Sequence, residues 1–179
     1  MSAMVKYLKV LIDTLQQTNF LIFLDVIGEK YLKILEKKDK IFMGSKYKAM
    51  VLSCIDPRFQ PIIYNYLKKK KLNGKYSSFT IAGAAVGVTA KKFKKWHKTF
   101  WDNIDTSIKL HKVKKLIVIN HRDCGAAKII NGKNKFSKNN ETEIHKNSFQ
   151  MIKKTFKKKY PKLKIELKLA ALNKKIEDF

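Results

Sequence analysis

The sequence has 179 residues, the length of one domain or of one domain with an extra arm. Its composition is 45% hydrophobic, with only 7 glycines, 3 prolines and 2 cysteines, which excludes a disordered, collagen-like or disulfide-scaffold protein. A balance of 40 Lys and Arg against 14 Asp and Glu gives a net charge of +26, which excludes an acidic protein and raises the question of an anionic partner.

The beginning of the chain predicts a helical arm. Apolar residues recur at helical spacing over residues 4–17 and again over residues 20–38, and Gly44-Ser45 marks a boundary after them. We therefore expect an N-terminal helical arm over residues 1–43 and an α/β domain over residues 44–179. The longest apolar run is interrupted by Asp25 and falls short of the ~20 residues of a membrane span. The start of the chain lacks the pattern of a cleaved leader, and two free cysteines suit a reducing compartment, so we expect a cytoplasmic protein.

The rest of the chain alternates between strands and helices. The apolar runs predict strands at 49–53, 76–81, 116–120 and 163–172. Amphipathic spacing predicts helices at 62–72 and 89–112, a helix that begins near Cys124, and one that ends at Tyr160 after a polar loop at 131–140. This alternation predicts a mostly parallel sheet of about four to five strands flanked by helices.

Three of the predicted strands end in residues that are informative about function: Cys54, Gly83 and His121. Because ligands bind outside the carboxyl ends of parallel strands, we expect these ends to meet at one edge. The motifs there are Cys54-Ile-Asp-Pro-Arg58 and His121-Arg-Asp-Cys-Gly125, which contain both cysteines and both arginines of the chain. Two thiolates and an imidazole suit Zn²⁺ and leave a fourth position for water or for the Asp56 carboxylate.

Asp56 and Arg58 are the predicted catalytic pair. They are two residues apart in what we expect to be an extended loop, where their side chains can pair as a carboxylate and a guanidinium. Arg58 would then hold Asp56 ionised and oriented towards the metal-bound water. Gly83 and Ala84 are expected to line the substrate pocket. The motifs assign no role to Arg122 or Asp123, and the sequence does not select a proton carrier among the histidines outside the motif, which are His97, His111 and His145.

At these motifs the chain resembles the β-class carbonic anhydrases. The likeness extends over about residues 47–130 and includes Phe79-Thr-Ile-Ala-Gly-Ala84, where the family has a strand ending in Ala-Gly-Asn. The resemblance implies one Zn²⁺ per chain on Cys54, His121 and Cys124, with reversible hydration of CO2 to bicarbonate. It also implies a homodimer or a larger assembly.

Two alternatives stay open. Ala84 replaces the asparagine of the family, so the chain can also be interpreted as a zinc-binding homologue without CO2 turnover, or as one acting on carbonyl sulfide or carbon disulfide. A basic nucleic-acid-binding protein is the other alternative. However, 38 of the 40 basic residues are lysines, whereas nucleic-acid recognition favours arginine, so we interpret most of the charge as a solvated lysine surface.

Overall fold

The computed structural model describes residues 4, 6–10, 30–34, 47–132 and 135–179. The chain divides into two units, Met1–Lys46 and Tyr47–Phe179. In the first unit residues 6–10 and 30–34 are helical. The remainder of the helices predicted over 4–17 and 20–38 lies outside the described residues, so the division into an arm over 1–43 and a domain over 44–179 stays a prediction.

The second unit contains a five-stranded sheet in the order β2-β1-β3-β4-β5. The strands are β1 (Ala49–Ser53), β2 (Tyr76–Thr80), β3 (Lys115–His121), β4 (Lys164–Ala170) and β5 (Ile176–Asp178). The first four are mutually parallel, and β5 runs antiparallel to β4 at the edge. The predicted fold class, a mostly parallel sheet flanked by helices, is confirmed.

Five α-helices connect and cover these strands in the described part of the second unit. They are α1 (Gln60–Lys69), α2 (Ala85–Thr89), α3 (Lys94–His111), α4 (Gly125–Asn131) and α5 (Lys138–Lys159). Two single turns of 3-10 helix, Pro57–Phe59 and Lys91–Phe93, precede α1 and α3. The sequence patterns do not predict α2 or β5, and they predict a start of α1 at residue 62, two residues later than the structure has it. Among the described residues, none of the helices combines the length and hydrophobicity needed to cross a bilayer.

Alternate residues of the central strands enter two separate cores. Val51 and Ile117 pack with α1 on one face of the sheet, whereas Leu52 and Val118 pack with α2, α3 and α5 on the other. Because both faces are covered, β1 and β3 are apolar throughout, as expected for central parallel strands. Ser53 at the end of β1 is aligned with Ile119 near the end of β3, so the two motifs lie side by side.

Candidate metal centre

Cys54, His121 and Cys124 converge at the carboxyl edge of the sheet. Cys54 follows the last residue of β1, His121 ends β3, and Cys124 caps the N-terminus of α4. One ligand atom from each of the three lies within 4.8 Å of the other two. The three residues are nearly inaccessible, with relative exposures of 4%, 1% and 1%. The arrangement can therefore hold a metal ion.

The hydrogen bonding of His121 leaves one ring nitrogen available for a metal. Nδ1 lies 2.8 Å from the carbonyl oxygen of Arg122 and must carry the ring proton, because a carbonyl only accepts. Nε2 is then the unprotonated nitrogen; it is buried and has no hydrogen-bond partner within the described part of the chain. The Phe59 ring stacks on the imidazole at a centroid distance of 4.1 Å and restricts its orientation. A buried lone pair without a partner is what a metal ligand requires.

The sulfurs of Cys54 and Cys124 share a hydrogen bond. The pKa of Cys54 is lowered to about 4, chiefly because the Cys124 thiol donates a hydrogen bond to its sulfur. The Gly83 N–H also donates to the Cys54 Sγ, at 3.2 Å. The same sharing of a proton, together with burial, raises the pKa of Cys124. Two thiols holding one proton form a site that a divalent cation can enter by displacing that proton.

Asp56 and Arg58 form the predicted pair, although the local backbone differs from the prediction. Residues Pro57–Phe59 form a turn of 3-10 helix rather than an extended loop, because the Asp56 Oδ1 accepts the Arg58 backbone N–H at 3.0 Å and caps the turn. The guanidinium donates from Nε to Oδ1 at 3.0 Å and from Nη2 to Oδ2 at 2.7 Å. These hydrogen bonds from Arg58 hold the pKa of Asp56 below its usual range. The Asp56 Oδ2 lies 4.0 Å from the His121 Nε2, so the carboxylate is adjacent to the ligand cluster.

Asp123 joins this pair, which the sequence analysis did not anticipate. The Arg58 Nη1 donates to the Asp123 Oδ2 at 2.9 Å, and Nη2 donates to its carbonyl oxygen at 3.2 Å. The Lys128 Nζ donates to the Asp123 Oδ1 at 2.6 Å, and Lys128, followed by Arg58, lowers the pKa of Asp123. Arg58 therefore connects the two motifs. The two residues in contact, Arg58 and Asp123, are 65 apart in sequence, and no sequence pattern pairs them.

Gly83 and Ala84 lie in a buried turn against Cys54. Gly83 has φ +77° and donates its N–H to the cysteine sulfur, and Ala84 has φ +47° and is 0% exposed. The turn therefore contacts the Cys54 sulfur through the backbone N–H of Gly83. Lining of a substrate pocket by these two residues stays a prediction.

The structure buries His145, one of the three histidines among which the sequence selects no proton carrier. His145 is 0% exposed, and Glu141, one helical turn earlier on α5, is only 5% exposed. The Glu141 Oε1 accepts the backbone N–H of Cys124 at 3.1 Å. The sequence analysis missed Glu141. The detectable signal was the helical spacing of Glu141 and His145 with the apolar residues Phe149 and Ile152, which share one buried face of α5.

Comparison with known proteins gives a family and a fold. Residues 44–166 match the family model described as "Putative carbonic anhydrase". An uncharacterised protein of Rickettsia bellii (strain RML369-C) is 29% identical over 150 residues, covering 83% of this chain and 92% of the relative.

Solved structures give the same fold. The β-carbonic anhydrase CafA of Aspergillus fumigatus superposes with a TM-score of 0.52 at 10% identity, over 90% of this chain and 91% of the other. One of two tetrameric β-carbonic anhydrases of Sordaria macrospora superposes with a TM-score of 0.51 at 12% identity, over 87% and 91% of the two chains.

Proposed function

Since the chain belongs to the family described as putative carbonic anhydrases, we propose that it is a zinc-dependent carbonic anhydrase. The reaction is the reversible conversion of CO2 and water into bicarbonate and a proton. The observation that carries the proposal is the buried cluster of two sulfurs and one imidazole nitrogen within 4.8 Å, with a carboxylate–guanidinium pair beside it.

The proposed ligands are Cys54, His121 and Cys124, which would hold one Zn²⁺ per chain. Zinc bound by three protein ligands supplies a Lewis acid that makes hydroxide available near neutral pH. The buried, unpartnered Nε2 of His121 and the proton-sharing thiols support this assignment. Two thiolates and a neutral imidazole neutralise the charge of Zn²⁺ and suit its preference for sulfur and nitrogen ligands.

The proposed role of Asp56 is to accept a hydrogen bond from water in the site and so to orient it for attack on CO2. Arg58 engages both carboxylate oxygens, at 3.0 Å and 2.7 Å, and so favours a position for Asp56 beside the ligands rather than among them. We therefore propose an open fourth position, with Asp56 as fourth ligand as the alternative that metal geometry would reveal.

The test of the metal site measures the zinc content of purified protein, with the paired substitution Cys54→Ser and Cys124→Ser. We expect about one zinc per chain in the natural protein and background zinc in the double variant, because serine is a poor zinc ligand. Ile55→Ser is the matched control, since this side chain is adjacent in sequence but 59% exposed. Unchanged zinc content in the double variant would refute the site assignment.

The test of catalysis is a CO2 hydration assay across a pH series on protein of known zinc content. Asp56→Asn is expected to keep zinc and to lower the rate by roughly 100-fold or more, the contribution of a positioned proton acceptor. Asp102→Asn is the control, because that carboxylate is exposed and pairs only with Lys98 on α3 among the described contacts. Zinc binding without CO2 hydration would refute the activity, and carbonyl sulfide and carbon disulfide would then be assayed as substrates.

We further propose that the protein is a cytoplasmic homo-oligomer. Support for assembly comes from the Sordaria macrospora enzymes, whose structures are described as tetrameric. Support for a reducing location comes from Cys54 and Cys124, which are both free and buried. Light scattering on the purified protein would measure the mass of the assembly.

A further inference from the structure

A chain of buried polar side chains lies behind the loop that carries Cys124. It consists of Asn120 on β3 and His145, Ser148 and Glu141 on α5, with exposures of 1%, 0%, 4% and 5%. Burying polar groups is costly unless their hydrogen bonds are satisfied, so the contacts within this chain identify what it holds in place.

The orientation of Asn120 determines where the proton of His145 lies. The Ala85 backbone N–H donates to the Asn120 Oδ1 at 3.0 Å, so the Asn120 NH2 group faces away from it. That group donates to the His145 Nδ1 at 2.9 Å and to the Ser148 Oγ at 3.3 Å. Since Nδ1 accepts, the ring proton is on Nε2, which faces the Glu141 Oε1 at 3.7 Å. That distance is too long for a hydrogen bond, and Nε2 has no hydrogen-bond partner among the described residues.

Glu141 connects this chain to the metal-binding loop. Its Oε1 accepts the backbone N–H of Cys124 at 3.1 Å, and its Oε2 lies 3.6 Å from the Arg122 Nη1. The same Nη1 donates to the Thr142 Oγ1 at 2.8 Å. One carboxylate thus contacts both the residue after His121 and the backbone of the second cysteine ligand.

The buried polar residues reach both halves of the site. Gly83, whose N–H contacts the Cys54 sulfur, lies two residues before Ala85, where the hydrogen-bonded chain begins. Asn120 donates in turn to His145, whose Nε2 lies 3.7 Å from Glu141, and Glu141 accepts the Cys124 N–H. The segments that support the two sulfur ligands therefore both contact these buried polar residues.

We propose that Glu141, which lies between His145 and Arg122, is a positioning residue of the metal site that fixes the backbone of Cys124 so that its sulfur binds the metal strongly and in one geometry. This proposal rests on the proposed zinc site. A buried carboxylate near a guanidinium is weak evidence for a stabilising role, since apolar residues of similar volume often stabilise as well or better. The contact of Glu141 with a ligand residue supplies the other reason, because groups that orient metal ligands contribute to metal affinity.

The experiment compares zinc affinity, by competition with a chelating dye, in the natural protein, Glu141→Ala, Glu141→Gln and Glu143→Ala. Glu141→Ala is expected to weaken zinc binding by roughly 10- to 100-fold, the range for loss of a group that orients a ligand. Glu141→Gln keeps an oxygen that can accept the Cys124 N–H, so this variant is expected to weaken zinc binding less than Glu141→Ala does. Glu143→Ala is the matched control on the same helix, because its side chain is 60% exposed and pairs with Lys146 at the surface.

A second measurement separates positioning from a general structural role. The absorption spectrum of Co²⁺-loaded Glu141→Ala is expected to show shifted thiolate-to-cobalt bands, whereas a substitution that only destabilises the fold would lower the melting temperature and leave those bands and the affinity unchanged. If Glu141→Ala does not fold, the isosteric Glu141→Gln carries the test, with an expected loss of affinity below about 10-fold, the lower end of the range for an orienting group.

The outcomes distinguish this proposal from the proposed function. A natural protein that binds no zinc refutes the metal site itself and this inference with it. A natural protein that binds zinc, with unchanged affinity and cobalt spectrum in the Glu141 variants, overturns only the positioning role. An equal loss in Glu143→Ala also overturns it, because the effect would then come from acidic charge on α5 in general.

Discussion

Replacing Gly83 with alanine is expected to destabilise the protein by about 2–5 kcal/mol, the sum of two separate costs. The first is conformational: Gly83 has φ +77°, a left-handed backbone that costs a residue with a Cβ about 1–2 kcal/mol. The second is steric: an added Cβ would lie 2.6 Å from the Ala126 Cβ and 3.3 Å from the Val86 Cβ. Both neighbours are buried, and overpacking of this kind costs about 1–3 kcal/mol.

The assay is chemical denaturation of the natural protein, Gly83→Ala and the control Gly74→Ala. Gly74 has nearly the same backbone, at φ +66°, but no described atom lies within 4 Å of its added Cβ, so only the conformational cost of about 1–2 kcal/mol is expected. The difference between the two variants measures the steric cost. Equal destabilisation of Gly83→Ala and Gly74→Ala would refute the reasoning that the turn is packed tightly against α4.

Zinc content provides an independent readout of the same substitution. The Gly83 N–H contacts the Cys54 sulfur at 3.2 Å, and relief of the clash with Ala126 requires the turn to move. We therefore expect Gly83→Ala to bind zinc more weakly than Gly74→Ala. Equal affinities would show that the turn moves without disturbing the sulfur.

Two further predictions concern aromatic residues. Phe59→Ala should destabilise the protein by about 3–5 kcal/mol and weaken zinc binding, because Phe59 is 1% exposed and its ring restrains His121. A loss of unfolding free energy under about 1 kcal/mol, measured by chemical denaturation, would contradict this. Burial and the hydrogen bond to Asp105 at 2.6 Å raise the pKa of Tyr160 in the folded state, so the unfolded chain releases this proton first and stability falls as pH rises above about 10. Tyr160→Phe should lessen that fall in stability, which thermal unfolding across alkaline pH would measure. Identical slopes of stability against pH in the two proteins would count against the prediction.

The fold was predictable because its central strands are buried on both faces and are therefore apolar along their whole length. The strand β5 was missed for the opposite reason: it consists of Ile176–Asp178 at the edge of the sheet, where three residues give no periodic pattern. The helix α2 was missed because its sequence, Ala-Val-Gly-Val-Thr, has low helix propensity. All five of its residues are buried, so tertiary packing rather than local preference forms this helix.

The ligand cluster was predictable because soft ligands are rare in this chain and stand at the ends of strands that the parallel topology aligns. The contacts around that cluster were not, because they join positions far apart in sequence. Arg58 reaches Asp123 across 65 residues, and Glu141 reaches the Cys124 backbone across 17. A carboxylate on a predicted amphipathic helix is ordinarily solvent-facing. Helical spacing could place Glu141 on the buried face of α5, but its contact with Cys124 appears only once α5 is packed against α4.

The two arginines show how a strongly basic chain uses its basic residues for different purposes. Arg58 engages the side chains of Asp56 and Asp123 at once, through Nε, Nη1 and Nη2, and Arg122 spans Glu141 and Thr142. A lysine ammonium is a compact charge on a flexible stem and cannot reproduce the planar fork that meets two partners in fixed directions. In a chain with 38 lysines, arginine therefore occurs at the two positions where direction matters as well as charge, and both of those positions support the loops that carry the candidate metal ligands.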